Sequence, residues 1–422
     1  MTTARPIVVA ERPTPGEPRP YHFPPFDRGV LANGLRLITV HLPGRGLISA
    51  SLVSPGGAAE EPEDLGGATV LMARALSEGT VRRDAVALVE ATERLGASLH
   101  AEAGWDAWTV SVDVPAARLE PALDLLAEMA AEPSFPPAEV ERLRDERLND
   151  LLQVKADPRR RAEEVFAETI YADGAGYARP SAGRRATVER LDAEAARAIY
   201  RRRFDPAGMT LVVGGDLTDL DVPGIVASHL GDWVPRAGTA GDPPGGPIDA
   251  ATRTERLVRV VHRPGAVQTE IRIGHPGARR RTPDFHALSV MSAILGGLFN
   301  SRLNRKLREE KGYTYGASAG FDLRRAAGPF GARAAVNTDV TVPATLDILA
   351  ELDAIRDRQV EDAELRAARD YLVGVFPLRF ETPGAVVGAL ASLVIHGLPD
   401  DELSRYRAEI EAVGPSEVQA AA

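Results

Sequence analysis

Cysteine is absent from the 422-residue sequence. This absence excludes disulfide bonds, thiolate metal sites and cysteine nucleophiles. Long apolar runs are absent too, since no stretch approaches the roughly 20 residues that a transmembrane helix needs. The first 26 residues, MTTARPIVVAERPTPGEPRPYHFPPF, are rich in proline and lack the positive and then apolar pattern of a signal peptide. We therefore expect an extended N-terminal arm, a cytoplasmic location and no membrane partner.

Positive charge is in deficit, because 50 lysines and arginines face 60 aspartates and glutamates, for a net charge of -10. A nucleic-acid-binding domain usually shows the opposite balance, so we expect no nucleic-acid partner. Histidine is also scarce, and the eight histidines show no spacing typical of metal ligands. The length predicts at least two domains, because one hydrophobic core rarely serves so long a chain.

Hydrophobic periodicity predicts an alternation of strands and helices. Strands are predicted on either side of an Asn33-Gly34 turn, at residues 47–55, at 105–115 and at 209–217. Helices are predicted at residues 65–77, 84–95, 116–131 and 137–156, with Gly96 ending the second of them. These elements predict an α+β fold in which a mixed sheet is packed by helices.

The second half of the chain repeats the first. Val40-His41-Leu42-Pro43-Gly44 returns as Val261-His262-Arg263-Pro264-Gly265, and Pro55-Gly56 returns as Pro276-Gly277. Ala138-Glu139-Val140 later returns as Ala363-Glu364-Leu365. Three matches in the same order predict two homologous domains, at residues 27–233 and 254–422, joined by a Gly/Pro-rich linker at 234–253. The first half closes with an apolar strand, MTLVVGGDL, and the second shows no equivalent. Either the second sheet is one strand short, or a partner or an unusual end compensates.

The stretch LGGLFNSRLNRKLREEKGYTYGASAGF, residues 295–321, predicts a Gly-Gly turn, a basic helix, a glycine stop and a strand. Asn300 or Ser301 can cap this helix and Gly312 can end it. Arg308 then lies in the last helical turn and Tyr315 just after the reversal. Converging guanidinium and phenol donors suit a polarised carbonyl oxygen, although a solvated basic helix with a surface tyrosine gives the same pattern.

Taken together, the two halves, the linker and SRLNRKLREEKGYTYGASAGF resemble the pitrilysin-type metallopeptidases, the inverzincins, and most of all the small group that includes the mitochondrial processing peptidase subunits. The resemblance implies that the chain forms half of a clamshell. Two further segments support the resemblance. The family's zinc helix resembles PGGAAEEPEDLGGATVLMARALSEGT, and the helix of its third ligand resembles LNDLLQVKADP.

The family places a His-x-x-Glu-His motif on the first of these helices, where two histidines bind zinc and the glutamate activates water. Anchored on Glu78-Gly79-Thr80, the resemblance puts the histidine positions at Val70 and Arg74 and the catalytic glutamate position at Ala73. The third-ligand position falls near Asp150 or Leu151. Valine and alanine cannot bind zinc, and a protonated arginine repels it. The resemblance therefore implies a degenerate site and no metal in this chain.

In the second domain the family uses an arginine and a tyrosine seven residues apart to bind the substrate carbonyl and its oxyanion. Arg308 and Tyr315 match that spacing, whereas Tyr313 fits it less well. Gly296 and Gly297 occupy the family's glycine-rich turn, where a peptide backbone can approach, although a plain turn between helices is an equal reading.

A zinc-less chain with this pair resembles the non-catalytic subunit of a heterodimeric zinc endopeptidase. The resemblance implies a same-family partner that carries His-x-x-Glu-His and the zinc, and a peptide substrate. Two alternatives stay open. One is a pseudo-enzyme scaffold, and the other is a peptide-binding subunit without proteolysis.

Overall fold

A computed structural model describes Gly16, residues 19–235, Ile248 and residues 255–422. Most of the predicted N-terminal arm, at residues 1–26, and most of the predicted linker, at 234–253, lie outside these residues. The precise domain boundaries therefore stay predictions. The described chain contains two sheets, one built before the linker and one after it.

The first domain holds a six-stranded sheet with the order β1-β2-β6-β3-β5-β4. Only β2 and β6 run parallel, and all other neighbours are antiparallel. The strands are β1 Asp27–Val30, β2 Arg36–His41, β3 Leu47–Pro55, β4 Ser98–Ala103, β5 Ala107–Pro115 and β6 Thr210–Gly215. The helices are α1 Ala68–Ala75, α2 Ala85–Arg94, α3 Leu119–Ala131, α4 Pro137–Ala156, α5 Pro158–Ile170, α6 Arg185–Val188, α7 Ala193–Arg203 and α8 Val222–Leu230.

Local sequence signals set several of these boundaries. The Asn-Gly turn between β1 and β2 forms as predicted, with Gly34 at φ +88° and the Asn33 side-chain oxygen accepting from the Leu35 amide. Asp84 caps α2 by accepting a hydrogen bond from the Ala87 amide at 2.8 Å. Every residue of β6 is buried, which explains its unbroken apolar sequence. The helix predicted at 65–77 is shorter than expected, because 3₁₀ turns at Glu63–Leu65 and Leu76–Glu78 flank α1.

The second domain holds a three-stranded antiparallel sheet with the order β7-β9-β8. Its strands are β7 Gln268–Pro276, β8 Ala317–Phe321 and β9 Pro329–Asn337. Its helices are α9 Phe285–Ser292, α10 Arg302–Asn304, α11 Thr341–Asp357, α12 Asp362–Val375, α13 Pro383–His396, α14 Glu402–Ala412 and α15 Pro415–Ala421. Both α9 and α10 continue into wider π-helical turns, at Ala293–Gly297 and Arg305–Glu310.

The predicted repeat is visible in the strands. β3 and β7 each have nine residues and end at the repeated proline, and β5 and β9 also have nine residues each. The segment around His262, residues 256–263, forms no strand in the described structure, although it matches the end of β2 in sequence. In the first domain the corresponding strand, β2, lies between β1 and β6, and no described residue of the second domain takes the place of β6.

Each domain covers the other's sheet with one helix. From the second domain, α13 packs its Val386, Val387 and Leu390 against Ile38 and Val212 of the first sheet. From the first domain, α5 packs on β7, with Phe166 against glycines of the second sheet. The opposite faces of the two sheets pack on helices of their own domains.

No single helix in the described part of the chain has both the length and the hydrophobicity of a membrane span. Residues 362–380 and 383–396 meet those criteria only as a pair, and that pair is bent by 111°.

Candidate functional site

The first candidate site is the face between α1 and α4, where the sequence places the degenerate zinc positions. Helix α1 begins after Gly67, whose φ of +99° turns the chain into the helix. The buried Glu61 carboxylate accepts hydrogen bonds from the Gly67 and Thr69 amides at this helix start. The helix then packs against α4, so the positions predicted on the two helices lie on neighbouring elements.

An ion pair occupies the second histidine position. The Arg74 guanidinium donates to the Glu146 carboxylate on α4 at 2.8 Å, and Arg142 also donates to Glu146. The hydrogen bond from Arg74 is the main reason that the pKa of Glu146 lies below its ordinary value. The remaining positions are Val70, which is half-buried, and Ala73, which is 1% exposed. This face does not fit zinc, because it presents a cation and two apolar side chains.

The carboxylate of Asp150, at the predicted third-ligand position, is also bound by two arginines. It accepts from Arg160 at 3.0 Å and from Arg147. Burial by itself would raise the pKa of Asp150, but hydrogen bonds and charge from these two arginines leave that pKa below its ordinary value. Across the described residues there is no group of three histidine, aspartate or glutamate side chains that could hold a metal ion.

The second candidate site is the helix–strand reversal after α10. The helix ends at Gly312, whose φ is +63° and whose amide donates to the Arg308 carbonyl at 3.1 Å. This ending confirms the predicted glycine stop. Ser301 occupies the N-cap position, but neither it nor Asn300 makes the predicted capping hydrogen bond. A contact with another helix stabilises the start of this one: Arg302 forms a bidentate pair with Glu364 of α12 at 3.0 and 2.7 Å.

Arg308 lies on the wide last turn of this helix with its side chain 20% exposed. Its guanidinium carbon lies 3.7 Å from the centre of the Phe299 ring, and its Nε donates to Glu309 at 2.8 Å. Phe299 itself is 71% exposed. Arg308 therefore rests on an aromatic ring at the surface.

Tyr315 points into solvent and is 96% exposed. A small turn presents it, since the Thr314 hydroxyl bonds both the amide and the carbonyl of Gly316. Tyr313 instead packs against the core of the second domain. The reversal brings Arg308 and Tyr315 to the same end of the helix, but the structure records no contact between their side chains.

Asn304 is a site residue that the sequence interpretation missed. It is buried, its side-chain oxygen accepts from the Ala317 amide at 2.8 Å, and its NH₂ donates to the Leu298 carbonyl at 3.2 Å. It thereby connects the glycine-rich turn, the arginine helix and β8. Its position directly before Arg305 and Lys306 gave no distinguishing signal.

The two glycines of the turn have different surroundings. A Cβ on Gly296 would lie 2.1 Å from the Ala319 amide nitrogen, so this glycine allows the turn to pack on β8. Gly297 is exposed. The substrate contact stays a prediction at both positions, and of the two glycines Gly297 has the exposed surface for it.

Chemically, the reversal presents one fixed cation and one free phenol, both of them hydrogen-bond donors. The α1–α4 face presents neither a metal-binding group nor a free carboxylate at the positions that correspond to the zinc site. Groups of this kind can stabilise negative charge on a carbonyl oxygen, whereas the residues at the zinc positions of α1 cannot activate a water molecule.

Comparison with known families gives two matches in tandem. Residues 36–180 match the family described as insulinase (peptidase family M16), and residues 190–372 match the peptidase M16 inactive domain. Together the two matches span most of the chain. The chain is 25% identical over 400 residues to a protein of Streptomyces coelicolor described as an uncharacterized zinc protease, covering 94% of this chain and 86% of that protein. It is 22% identical over 345 residues to a Helicobacter pylori protein described as a non-peptidase homolog, covering 82% of this chain and 78% of that one.

Two solved structures share the fold. One is a peptidase M16 inactive domain from Pseudomonas fluorescens, with a TM-score of 0.82, 23% identity and 94% of each chain covered. The other is a protease from Helicobacter pylori, with a TM-score of 0.87, 18% identity, and 95% of this chain and 96% of that chain covered.

Proposed function

The chain belongs to the M16 peptidase family as a zinc-less, non-catalytic member, and from this premise we propose that it is one subunit of a two-chain zinc endopeptidase. Its role would be to offer Arg308 and Tyr315 to the carbonyl oxygen of a peptide bound at a partner's zinc site. The partner would be a same-family subunit that carries His-x-x-Glu-His. A cytoplasmic location, without nucleic-acid or membrane partners, remains the expectation from composition.

The exposure of Tyr315 is the observation on which this proposal rests. A tyrosine whose side chain is 96% exposed contributes almost nothing to the stability of its own chain. The turn made by Thr314 and Gly316 nevertheless holds it beside the arginine helix. Both features suit a residue that functions only against another surface.

The physical role is limited to electrostatic stabilisation. Two donors accelerate a reaction only when charge develops on a carbonyl within their reach, and removal of one such donor typically costs about 10²–10³ in rate. Positions Val70, Ala73 and Arg74 cannot supply the nucleophile within this chain. The water molecule that attacks the substrate carbonyl would therefore have to be activated by the zinc and the glutamate of the partner.

The decisive experiment is to co-express this chain with a same-family subunit that carries His-x-x-Glu-His and to assay peptide cleavage. We expect Arg308→Ala and Tyr315→Phe each to lower kcat by about 10²–10³ at unchanged zinc content of the complex. Arg305→Ala on the same helix is the matched arginine control, because the Arg305 side chain is 58% exposed and its ion pair with Glu364 is long, at 3.8 Å. Tyr313→Phe is the matched tyrosine control. Full activity in both Arg308→Ala and Tyr315→Phe would reject the shared site.

One observation favours the alternative of a scaffold or a peptide-binding subunit without proteolysis. Arg308 already has partners within its own chain, the Phe299 ring and the Glu309 carboxylate. A scaffold would form a stable assembly that shows no cleavage with any His-x-x-Glu-His partner. A peptide-binding subunit would bind extended peptides on its own, and Tyr315→Phe would leave that affinity unchanged.

A further inference from the structure

We propose that a cavity beside the start of α9 binds a small, soluble ligand that carries phosphate. The loop between β7 and α9 contains Arg279, Arg280 and Arg281, and all three line a cavity of about 430 Å³. The segment before α14 forms the opposite wall and contributes Glu402. Three guanidinium groups and one carboxylate thus line this cavity, in a chain whose net charge is -10. Its positive charge is therefore a local feature and does not follow from the overall charge.

The arrangement of these arginines differs from that of other arginine runs in the chain. Runs of three arginines occur at residues 159–161, 201–203 and 279–281. The first two runs lie on α5 and α7, where successive side chains diverge by about 100° around the helix. The third run lies in a loop, and its three side chains line one cavity. The convergence of the side chains, and not the abundance of arginine, is what indicates a binding site.

Arg280 has a fixed position at the centre of the loop. Its backbone amide donates to the Arg324 carbonyl at 2.7 Å, and its guanidinium carbon lies 3.5 Å from the centre of the Phe285 ring. Its Nη2 also donates to Glu402 at 2.9 Å, which joins the two walls of the cavity. The Arg280 side chain is only 14% exposed as a result. The middle of the loop is therefore ordered before any ligand binds, which lowers the entropic cost of binding.

The acidic residues of the opposite wall, at 398–402, already have arginine partners. Each of three pairs has a closest distance, or a well-aligned hydrogen bond, of 2.9 Å, and the pairs are Asp400–Arg28, Asp401–Arg405 and Glu402–Arg280. Arg279 and Arg281 are exposed, and neither forms an ion pair with a residue that the structure describes. These two guanidinium groups at the cavity thus have donors available for an anion.

The chemistry of the lining favours phosphate over carboxylate. A guanidinium group binds either anion through two parallel hydrogen bonds. A phosphate group, however, carries a charge of about -1.5 to -2 at pH 7 and three acceptor oxygens, so it can bind more than one arginine at once. The cavity volume also lies within the range of small-molecule sites, roughly 300–1,000 Å³. A ligand of the size of pyrophosphate or larger can therefore enter and contact both Arg279 and Arg281.

The test titrates the full chain with inorganic phosphate, pyrophosphate and acetate at constant ionic strength. Calorimetry gives the affinities, and the melting temperature is a second measurement, because a ligand that binds only the folded chain stabilises it. We expect pyrophosphate to bind about tenfold more tightly than phosphate, since it can contact two free guanidinium groups, and acetate to bind most weakly.

The decisive variant combines Arg279→Gln with Arg281→Gln. It should keep the parent's melting temperature without ligand, because both residues are exposed, and bind pyrophosphate at least about tenfold more weakly. The matched control combines Arg201→Gln with Arg202→Gln, which removes the same charge from exposed positions on α7. This control should leave the affinity within about twofold of the parent's.

Three results would overturn the proposal. The first is the absence of phosphate and pyrophosphate binding, and the second is acetate binding as tight as that of pyrophosphate. The third is an equal loss of affinity in the two double variants, which would show attraction by net charge without a site. Arg308 and Tyr315 take no part in the assay, so its outcome is separate from the proposed function.

Discussion

Asn304 is the residue that joins the three segments around the arginine helix. Its amide group satisfies the Ala317 N–H at the start of β8 and the Leu298 carbonyl in the glycine-rich turn. Both of those groups belong to segments that position Arg308 and Tyr315. A buried side chain with such partners fixes geometry as well as adding stability.

We expect Asn304→Ala to lower the free energy of unfolding by about 1–3 kcal/mol, because it leaves the buried Ala317 N–H without an acceptor. Urea denaturation gives the free energy, and hydrogen exchange reports the Ala317 amide directly. The control is Asn300→Ala, at an exposed position in the same loop, which should change stability by less than about 0.5 kcal/mol. Equal effects of the two substitutions would refute the bridging role of Asn304.

Residue identity in the sequence pointed to two candidate site residues but not to the neighbours that hold them, and the reason is physical. Arg308 and Tyr315 have a distinctive spacing and local sequence, and their role as a site stays a prediction. Asn304 and Phe299 were missed because each acts through contacts across the reversal, and such contacts have no local sequence pattern. The pairing of Arg74 with Glu146 was hidden for the same reason, since the two residues are 72 positions apart.

At the scale of secondary-structure elements, α13 is the clearest departure from a simple two-domain arrangement. It follows α12 of the second domain, yet its apolar face lies on β3 and β6 of the first. Val386 and Leu390 are at most 1% exposed in that contact. The helix therefore belongs to the second domain by sequence and to the first core by packing.

We expect Leu390→Ala to destabilise the whole chain by about 2–5 kcal/mol, because it opens a cavity in the contact between α13 and the first sheet. Chemical denaturation, followed separately by probes in each domain, would show both domains affected. Leu378→Ala, at a residue that is 60% exposed, is the control and should change stability by less than about 0.5 kcal/mol. If only the second domain loses stability, the packing of α13 does not couple the two domains.

Local sequence signals predicted where turns and helices begin and end better than they predicted which elements pack together. The Asn-Gly turn, the Asp84 cap and the Gly312 stop each formed as expected, because each is decided within a few residues. The position of α13 depends on contacts more than 150 residues apart, which periodicity cannot reveal.

At the scale of the whole molecule, a polar cluster fixes the two domains to each other. The loop between β8 and β9 reaches the first domain, where the Arg325 amide donates to Asp106 at 2.9 Å and the Arg325 side chain pairs with Glu60 at 2.6 Å. Tyr177 donates to Asp106 and accepts from the Ala326 amide. Burial is the first reason that the pKa of Tyr177 is raised far above its ordinary value. Hydrogen bonds and an ion pair thus connect the two domains at this cluster.

His396, at the end of α13, makes this cluster sensitive to acid. Burial lowers its pKa to about 4 from an ordinary 6.5, with Asp106 and Asp322 raising it and Arg280 and Arg325 lowering it further. In the unfolded chain His396 takes up a proton as the pH falls through 6.5, whereas the folded chain does so only near 4. The free energy of unfolding should therefore fall between these pH values, by at most about 3 kcal/mol.

The measurement is the stability of the wild type minus that of His396→Gln across pH 4 to 7. Carboxylates titrate in both proteins, so the difference isolates the histidine. We expect that difference to decrease steadily as the pH is lowered to about 4. A difference independent of pH would show that His396 titrates alike in the folded and unfolded chains.

Because α13 covers the first sheet but lies far behind it in the sequence, that sheet is left uncovered for a time during synthesis. The first sheet is complete once Gly215 has been made, but the helix that covers one of its faces begins only at Pro383. At about 5–20 residues per second, the ribosome needs roughly 10–30 s to make the residues between them. During that interval Ile38, Val53 and Val212 lack their cover, so the nascent chain exposes an apolar sheet face that a chaperone can bind.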